Sequence, residues 1–285
     1  MTVNRRPLRE TIALAALALV LAGVYGPVAV ELFKDWGRDP NYSHGYLIPV
    51  VSAILVWRRR KELASMKASP SAWGFLGLLL AGAALVFGAA GAEVFTQRMS
   101  LLLALGSLVL LLWGWRILGR TTFPLAFLFL AIPMPYVIYY GVTGPLQGLA
   151  ARCAVAGIQG VGILAVGEGN IIHLPGTSLE VAEACSGIRS LYAFLALGAL
   201  FARSLPVPSW GRWLVFLLTI PLSVLGNAIR VWGTGVGAHL FGPEVARGMI
   251  HESFGLIIFA ISLVLLLLLG KGARALWSDA SSSPS

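Results

Sequence analysis

The chain has 285 residues, 58% of them hydrophobic and only 12% charged, with a mean hydropathy of +0.83; a soluble domain of this length is excluded and an integral membrane protein is indicated. A formal net charge of +9 raises nucleic acid as a partner, but most basic residues sit in short loops beside apolar runs, where membrane orientation accounts for them, and no nucleic-acid partner is required. Two cysteines, Cys153 and Cys185, make neither a disulfide framework nor a metal-ligand spacing, so no metal and no cofactor are expected.

Arg5, Arg6 and Arg9 lead into an apolar run over 11–30. The run resembles a signal peptide but is long enough to span and lacks a clear cleavage site, which predicts a retained first helix. Further crossings are predicted over 42–57, 72–91, 100–115, 122–140, 186–202, 213–231 and 253–270, giving an all-α polytopic bundle of about eight transmembrane helices. Runs of this length exclude a β-barrel. The 42–57 run is short and contains Pro49, and Pro133-Met134-Pro135 must bend or end its helix. The stretch 146–166 is apolar enough to cross, but Gln147, Arg152 and Gln159 interrupt it, and it is expected in the outer interface. Segments 170–174 and 178–181 flank Pro175-Gly176 and predict a small outer-face hairpin, which must lean on the bundle because two isolated strands are marginal in water.

With eight crossings, 14 of the 21 basic residues collect on one side and most of the acidic residues on the other. By the positive-inside tendency both termini lie in the cytoplasm, with the chain in the inner membrane. One transmembrane domain over 1–275 and a short disordered tail over 276–285 complete the expected organisation.

Three polar interruptions then fall on the outer side. Cys185, in Glu183-Ala184-Cys185-Ser186-Gly187-Ile188-Arg189, immediately precedes an apolar helix, whose exposed N–H groups and positive dipole end favour thiolate over thiol. Cys153, in a plainer apolar setting, reads as a small, buried and inert cysteine. Arg189, four residues after Cys185, lowers the thiol pKa or holds a substrate carboxylate, or else pairs with Glu183 or Glu180. Arg230 sits near the outer end of its helix with Asn227 on the same face, where an unpaired charge is costly; a guanidinium there can hold an oxyanion or snorkel to the interface. His251, beside Glu252 at the start of the last helix, can exchange a proton near neutral pH or serve as an interface residue. His44, in Asn41-Tyr42-Ser43-His44-Gly45, is a further candidate for a substrate contact, against the plainer reading of a polar helix start. His173 and His239 carry no partner pattern.

These landmarks, with Pro133-Met134-Pro135, Gly167-Glu168-Gly169-Asn170 and Asn227-Ala228-Ile229-Arg230, resemble those of the exosortase/archaeosortase family, membrane enzymes regarded as cysteine-dependent protein-sorting transpeptidases. The resemblance covers most of the chain, and the style of the cysteine segment favours exosortase. It implies catalytic Cys185, Arg230 and His251; Arg189, Asn227, His44 and Glu183 are the candidate substrate contacts read from their own positions. The implied substrates are membrane-anchored proteins with a C-terminal PEP-CTERM-type signal: a short Pro-Glu-Pro-like motif, one transmembrane helix and a basic tail. Cleavage would fall at the outer face, with transfer to an envelope acceptor that the sequence does not identify. The competing reading is a transporter, or a scaffold for exopolysaccharide or lipid export, in which the same charges line a polar pathway and Cys185 is incidental.

Overall fold

The computed structural model describes residues 8–181, 187–246 and 248–282. The chain divides into two compact units, Met1–Pro133 and Met134–Ser285.

In the first unit the elements are α1 (Leu8–Arg38), a 3-10 helix (Pro40–Tyr46), α2 (Leu47–Arg58), α3 (Arg60–Ser65), α4 (Trp73–Ala90), α5 (Val94–Trp113), α6 (Trp115–Phe127) and a 3-10 turn (Leu128–Ala131). Tyr25, Val28, Ala81 and Ala104 of α1, α4 and α5 bury one another in a core of small and aromatic side chains. Glu93 caps α5 by accepting from the N–H groups of Phe95 at 3.0 Å and Thr96 at 2.6 Å. The bonds from Thr96, foremost among the causes, hold this carboxyl below its ordinary pKa. Buried Arg98 of α5 forms an ion pair with Asp35 of α1, the pairing that a charge in an apolar helix requires.

A series of side-chain donors ties the start of this unit to α6. Pro124 has no N–H, so the Arg120 carbonyl loses its helical partner; Arg59 Nη1 donates to it at 2.9 Å. Tightening into the 3-10 turn carries the Leu128 N–H to Leu125 and Ala126, and Ser52 Oγ donates to the Pro124 carbonyl at 2.9 Å. Pro135 cannot donate to the Ala131 carbonyl, where Trp36 Nε1 donates instead at 2.7 Å. His44 Nε2 donates to Leu130 O at 3.0 Å. A Cβ at Gly45 would run into the Trp36 indole, so this glycine lets the ring reach its carbonyl.

The second unit begins with α7 (Tyr136–Gly160), continues through β1 (Val166–Glu168), β2 (Ile171–Leu174) and β3 (Thr177–Glu180), and ends with α8 (Ile188–Ser204), α9 (Ser209–Phe241), a 3-10 turn (Pro243–Ala246) and α10 (Gly248–Ser282). The strands form one antiparallel sheet in the order β1-β2-β3. Gly176, at φ +80°, makes with Pro175 the two-residue turn between Leu174 and Thr177. The expected hairpin is therefore present, with β1 as a third strand that the sequence did not announce. It leans on the helices as required: Ile172, Leu174 and Val181 pack with Ala150, Ala154 and Ile158 of α7 and Val231 of α9.

Among the described residues, five helices are long and apolar enough to cross a membrane: Ala15–Arg38, Trp73–Ala90, Val94–Trp113, Ser209–Phe241 and Ser253–Ala275. A sixth is reached if the helices on either side of the break before Tyr136 count as one span. The eight expected crossings are accordingly not all supported. The break falls at the proline pair, α2 has only 12 residues, and α8 has 17, a length of about 25 Å against a hydrocarbon core of about 30 Å. The stretch expected in the interface is helical as far as Gly160 and packs on α9. Cys153, expected to be buried, is exposed on α7. The helix of α10 continues through 276–282, the greater part of the expected tail.

Candidate active site

Helices α8, α9 and α10 pack antiparallel to their chain neighbours. Gly187 abuts Asn227 while Gly198 abuts Thr219, and Gly233 meets Phe254 while Gly211 meets Trp277. One end of this three-helix group therefore holds Gly187, Asn227, Arg230 and Gly255, and the other holds Arg203, Arg212, Lys271 and Arg274.

On α9 the buried polar residues Thr219, Ser223, Asn227 and Thr234, with half-buried Arg230, recur at helical spacing and form one stripe turned toward α8 and α10. Polar groups in an apolar helix face the interior because lipid offers them no partner. Two clefts open along the stripe. The larger lies among α8, α9 and α10, with Ser190, Phe194, Ser223, Asn227, Arg230 and Gly255 in its wall. The smaller lies toward α7, between Leu146, Gly187, Leu191 and the same Ser223 and Asn227. Those two α9 side chains form the partition between the clefts.

Gly187 abuts this partition at Asn227. Its φ of +78° is a left-handed conformation that costs a side-chain-bearing residue about 1–2 kcal/mol. A Cβ there would stand 2.7 Å from Asn227 Cγ. The left-handed residue also delays the helix, which starts at Ile188 rather than Ser186. Gly187→Ala therefore displaces the Asn227 amide, and we expect the thermal midpoint of the detergent-solubilised chain to fall by several degrees. An unchanged midpoint would show that the approach of Gly187 to Asn227 has no structural weight.

On α10, Gly255 receives the Arg230 side chain, whose Cδ and Nη1 would lie 3.3 Å from an added Cβ. His251 is four residues earlier on the same helix, one turn away on the same face, the face that also carries Ile258 and Ser262. Only its backbone belongs to the described part.

Cys185 and Glu183 lie outside the described residues. Asn227 and Arg230 are brought together in the larger cleft, as their spacing predicts. Arg189 is exposed and lines neither cleft, because it falls on the opposite side of α8 from Gly187, Ser190, Leu191 and Phe194. His44 belongs to the first unit, with its Nε2 committed to the Leu130 carbonyl. Burial holds its pKa below the ordinary histidine value, against the opposing pull of the Leu130 and Asn41 backbone. His239 is exposed in the last turn of α9. His173 does have partners: across the sheet its Nδ1 meets Ser178 Oγ at 2.9 Å and its Nε2 meets Glu168 at 3.3 Å. Ser190, Ser223 and Ser262 of the cleft were missed, since a serine in an apolar helix gives no signal of its own.

Several helices of membrane-spanning length define a multi-pass membrane protein, and two of them, α9 and α10, wall the larger cleft together with the shorter α8. A profile of the transmembrane exosortases matches residues 36–268. The chain belongs to that family, and it is a membrane transpeptidase of the exosortase kind, with a protein-sorting role toward membrane-bound substrates. Comparison with curated proteins and with solved structures finds no match.

Proposed function

We propose that the chain cleaves C-terminal sorting signals by thiol chemistry, with Cys185 as nucleophile, Arg230 as oxyanion donor and His251 as proton carrier. The observation that carries this reading is the seating of Gly187 against Asn227. Cys185 stands two residues before Gly187, a separation that spans at most about 7 Å. Arg230 is one turn from Asn227 along α9, and the face of α10 that receives it carries His251. These neighbouring positions support a shared site for the thiol, the guanidinium and the imidazole.

The steps follow from those groups. The Cys185 thiol gives its proton to His251, and the thiolate attacks the peptide carbonyl of the signal motif. Negative charge develops on the carbonyl oxygen, and the Arg230 guanidinium donates to it. Collapse breaks the C–N bond, His251 returns the proton to the leaving amine, and a thioacyl enzyme remains. An acceptor amine or water then attacks the thioester, losing its proton to His251, and the Cys185 thiolate leaves. The product is an amide or a carboxylic acid, and transfer to an envelope acceptor is the outcome in keeping with the family.

A substrate anchored by its own transmembrane helix is already confined to the bilayer plane, which supplies much of the orientation that a soluble pair gains only by binding. The concentration of Arg203, Arg212, Lys271 and Arg274 at the opposite end of α8, α9 and α10 supports a cytoplasmic location for that end and an outer location for the cleft.

The test is co-expression with a reporter ending in the Pro-Glu-Pro-like motif, one transmembrane helix and a basic tail, with and without the chain. Mass spectrometry of the product is expected to show a chain-dependent new C-terminus at the motif. If none of several such signals is processed, the reading falls in favour of a transporter or export scaffold.

A further inference from the structure

Four hydroxyls lie on the cleft or one turn below it, and three of them are spent on their own helices. Ser190 Oγ donates to Gly187 O at 2.8 Å, Thr219 Oγ1 to Phe216 O at 2.6 Å and Ser262 Oγ to Ile258 O at 2.9 Å. Such back-bonding is the usual refuge of a serine or threonine in an apolar helix. Ser223 differs. It is 3% exposed, and its Oγ has no hydrogen-bond partner among the described residues.

A buried hydroxyl left without a partner lowers stability, and alanine would fit the same space without that cost. Ser223 also occupies a particular place. It lines both clefts, one turn before Asn227 on α9, so its oxygen stands in the partition that separates them. The larger cleft around it combines the apolar Phe194, Ile258 and Phe259 with the polar Ser190, Asn227, Arg230 and Ser262, and none of these accepts from the Ser223 hydroxyl. The proton that the other three hydroxyls give to a helix carbonyl is the one Ser223 withholds, which leaves it available to an acceptor in the cleft.

We propose that Ser223 is a substrate-positioning residue, whose hydroxyl donates to a main-chain carbonyl of the signal peptide held in the cleft. A neutral acceptor suits a lining in which Arg230 is the charged group. The bond would hold the peptide in register one turn of α9 away from Asn227 and two from Arg230, so that the scissile carbonyl falls to the guanidinium. This inference rests on the reading of the cleft as the peptide site.

Binding and stability together test it. A labelled synthetic peptide carrying the motif, transmembrane helix and basic tail is titrated against the detergent-solubilised full chain in its Cys185→Ser form, so that binding is read without turnover. Adding Ser223→Ala is expected to weaken binding about tenfold while the thermal midpoint stays the same or rises, and Ser223→Thr, which keeps the donor, is expected to restore most of the affinity. Unchanged binding, or a lowered midpoint on Ser223→Ala, would assign the hydroxyl to a bound water or to packing and overturn the proposal. If the Ser223-containing form binds no peptide, the peptide-site reading falls and this inference with it; binding that ignores the substitution removes this inference alone.

Discussion

Cys185→Ser, co-expressed with the tripartite-signal reporter, is expected to leave the reporter at full length, a loss of at least about 1,000-fold relative to the native chain. The two side chains are nearly equal in size, so the change removes reactivity rather than packing. A thiol with an ordinary pKa near 8.5 yields its proton to an imidazole readily, whereas a hydroxyl needs a strong base held against it. Cys153→Ser supplies the control: that residue is exposed on α7, away from the residues of either cleft, and processing should continue at the native rate. A transporter or scaffold would tolerate both replacements alike. Equal processing by the Cys185→Ser and native forms would remove the thiol mechanism altogether.

Arg230→Lys is expected to lower processing by about 100- to 1,000-fold, the scale seen when one oxyanion donor is taken away. The substitution conserves charge, which isolates geometry as the cause. A guanidinium presents its donors in a planar fork at a fixed reach, and the close approach of the Arg230 stem to Gly255 aims that fork; an ammonium on a flexible chain has neither the reach nor the plane. Arg189→Lys, made in parallel, is expected to change the rate by less than about threefold, because Arg189 lies on the side of α8 turned away from the clefts. A small effect at position 230 with a large one at 189 would exchange their roles. Rates at saturating and limiting reporter distinguish weaker binding from loss of transition-state stabilisation.

Hydropathy and spacing carried the reading of the second unit far. Asn227 and Arg230 lie three residues apart on a helix whose other faces are apolar, and that pattern alone turns them toward the interior. His251 lies one turn before Gly255, the glycine that meets Arg230. The first unit was harder to read, because a hydropathy run registers how apolar a stretch is and not whether its backbone bonds are continuous. The run over 122–140 crosses a point where two prolines withhold their N–H groups, and it divides there. The 42–57 run becomes a 3-10 helix followed by a helix of 12 residues. His44 resembles a functional histidine because it is polar, aromatic and set in a glycine-containing motif, yet a backbone carbonyl 86 residues away takes up its Nε2, a partner that only the fold reveals. The strand β1 has three residues, one of them glycine, too few to display alternation. Ser223 could not have been singled out, since its distinction from Ser262 or Thr219 is the direction in which its hydroxyl is spent.

The donors that complete the backbone of α6 and the turn after it, from Trp36, His44, Ser52 and Arg59, all precede that helix in the chain. Synthesis therefore delivers the donors first and the carbonyls that need them afterwards. A helix with its own complete set of hydrogen bonds can enter hydrocarbon alone, but one interrupted by prolines carries open carbonyls whose exposure to lipid costs several kcal/mol each. For α6 the neighbour that covers those carbonyls is already made when it leaves the ribosome, so the order of residues along the chain is also the order in which these segments can be received by the membrane.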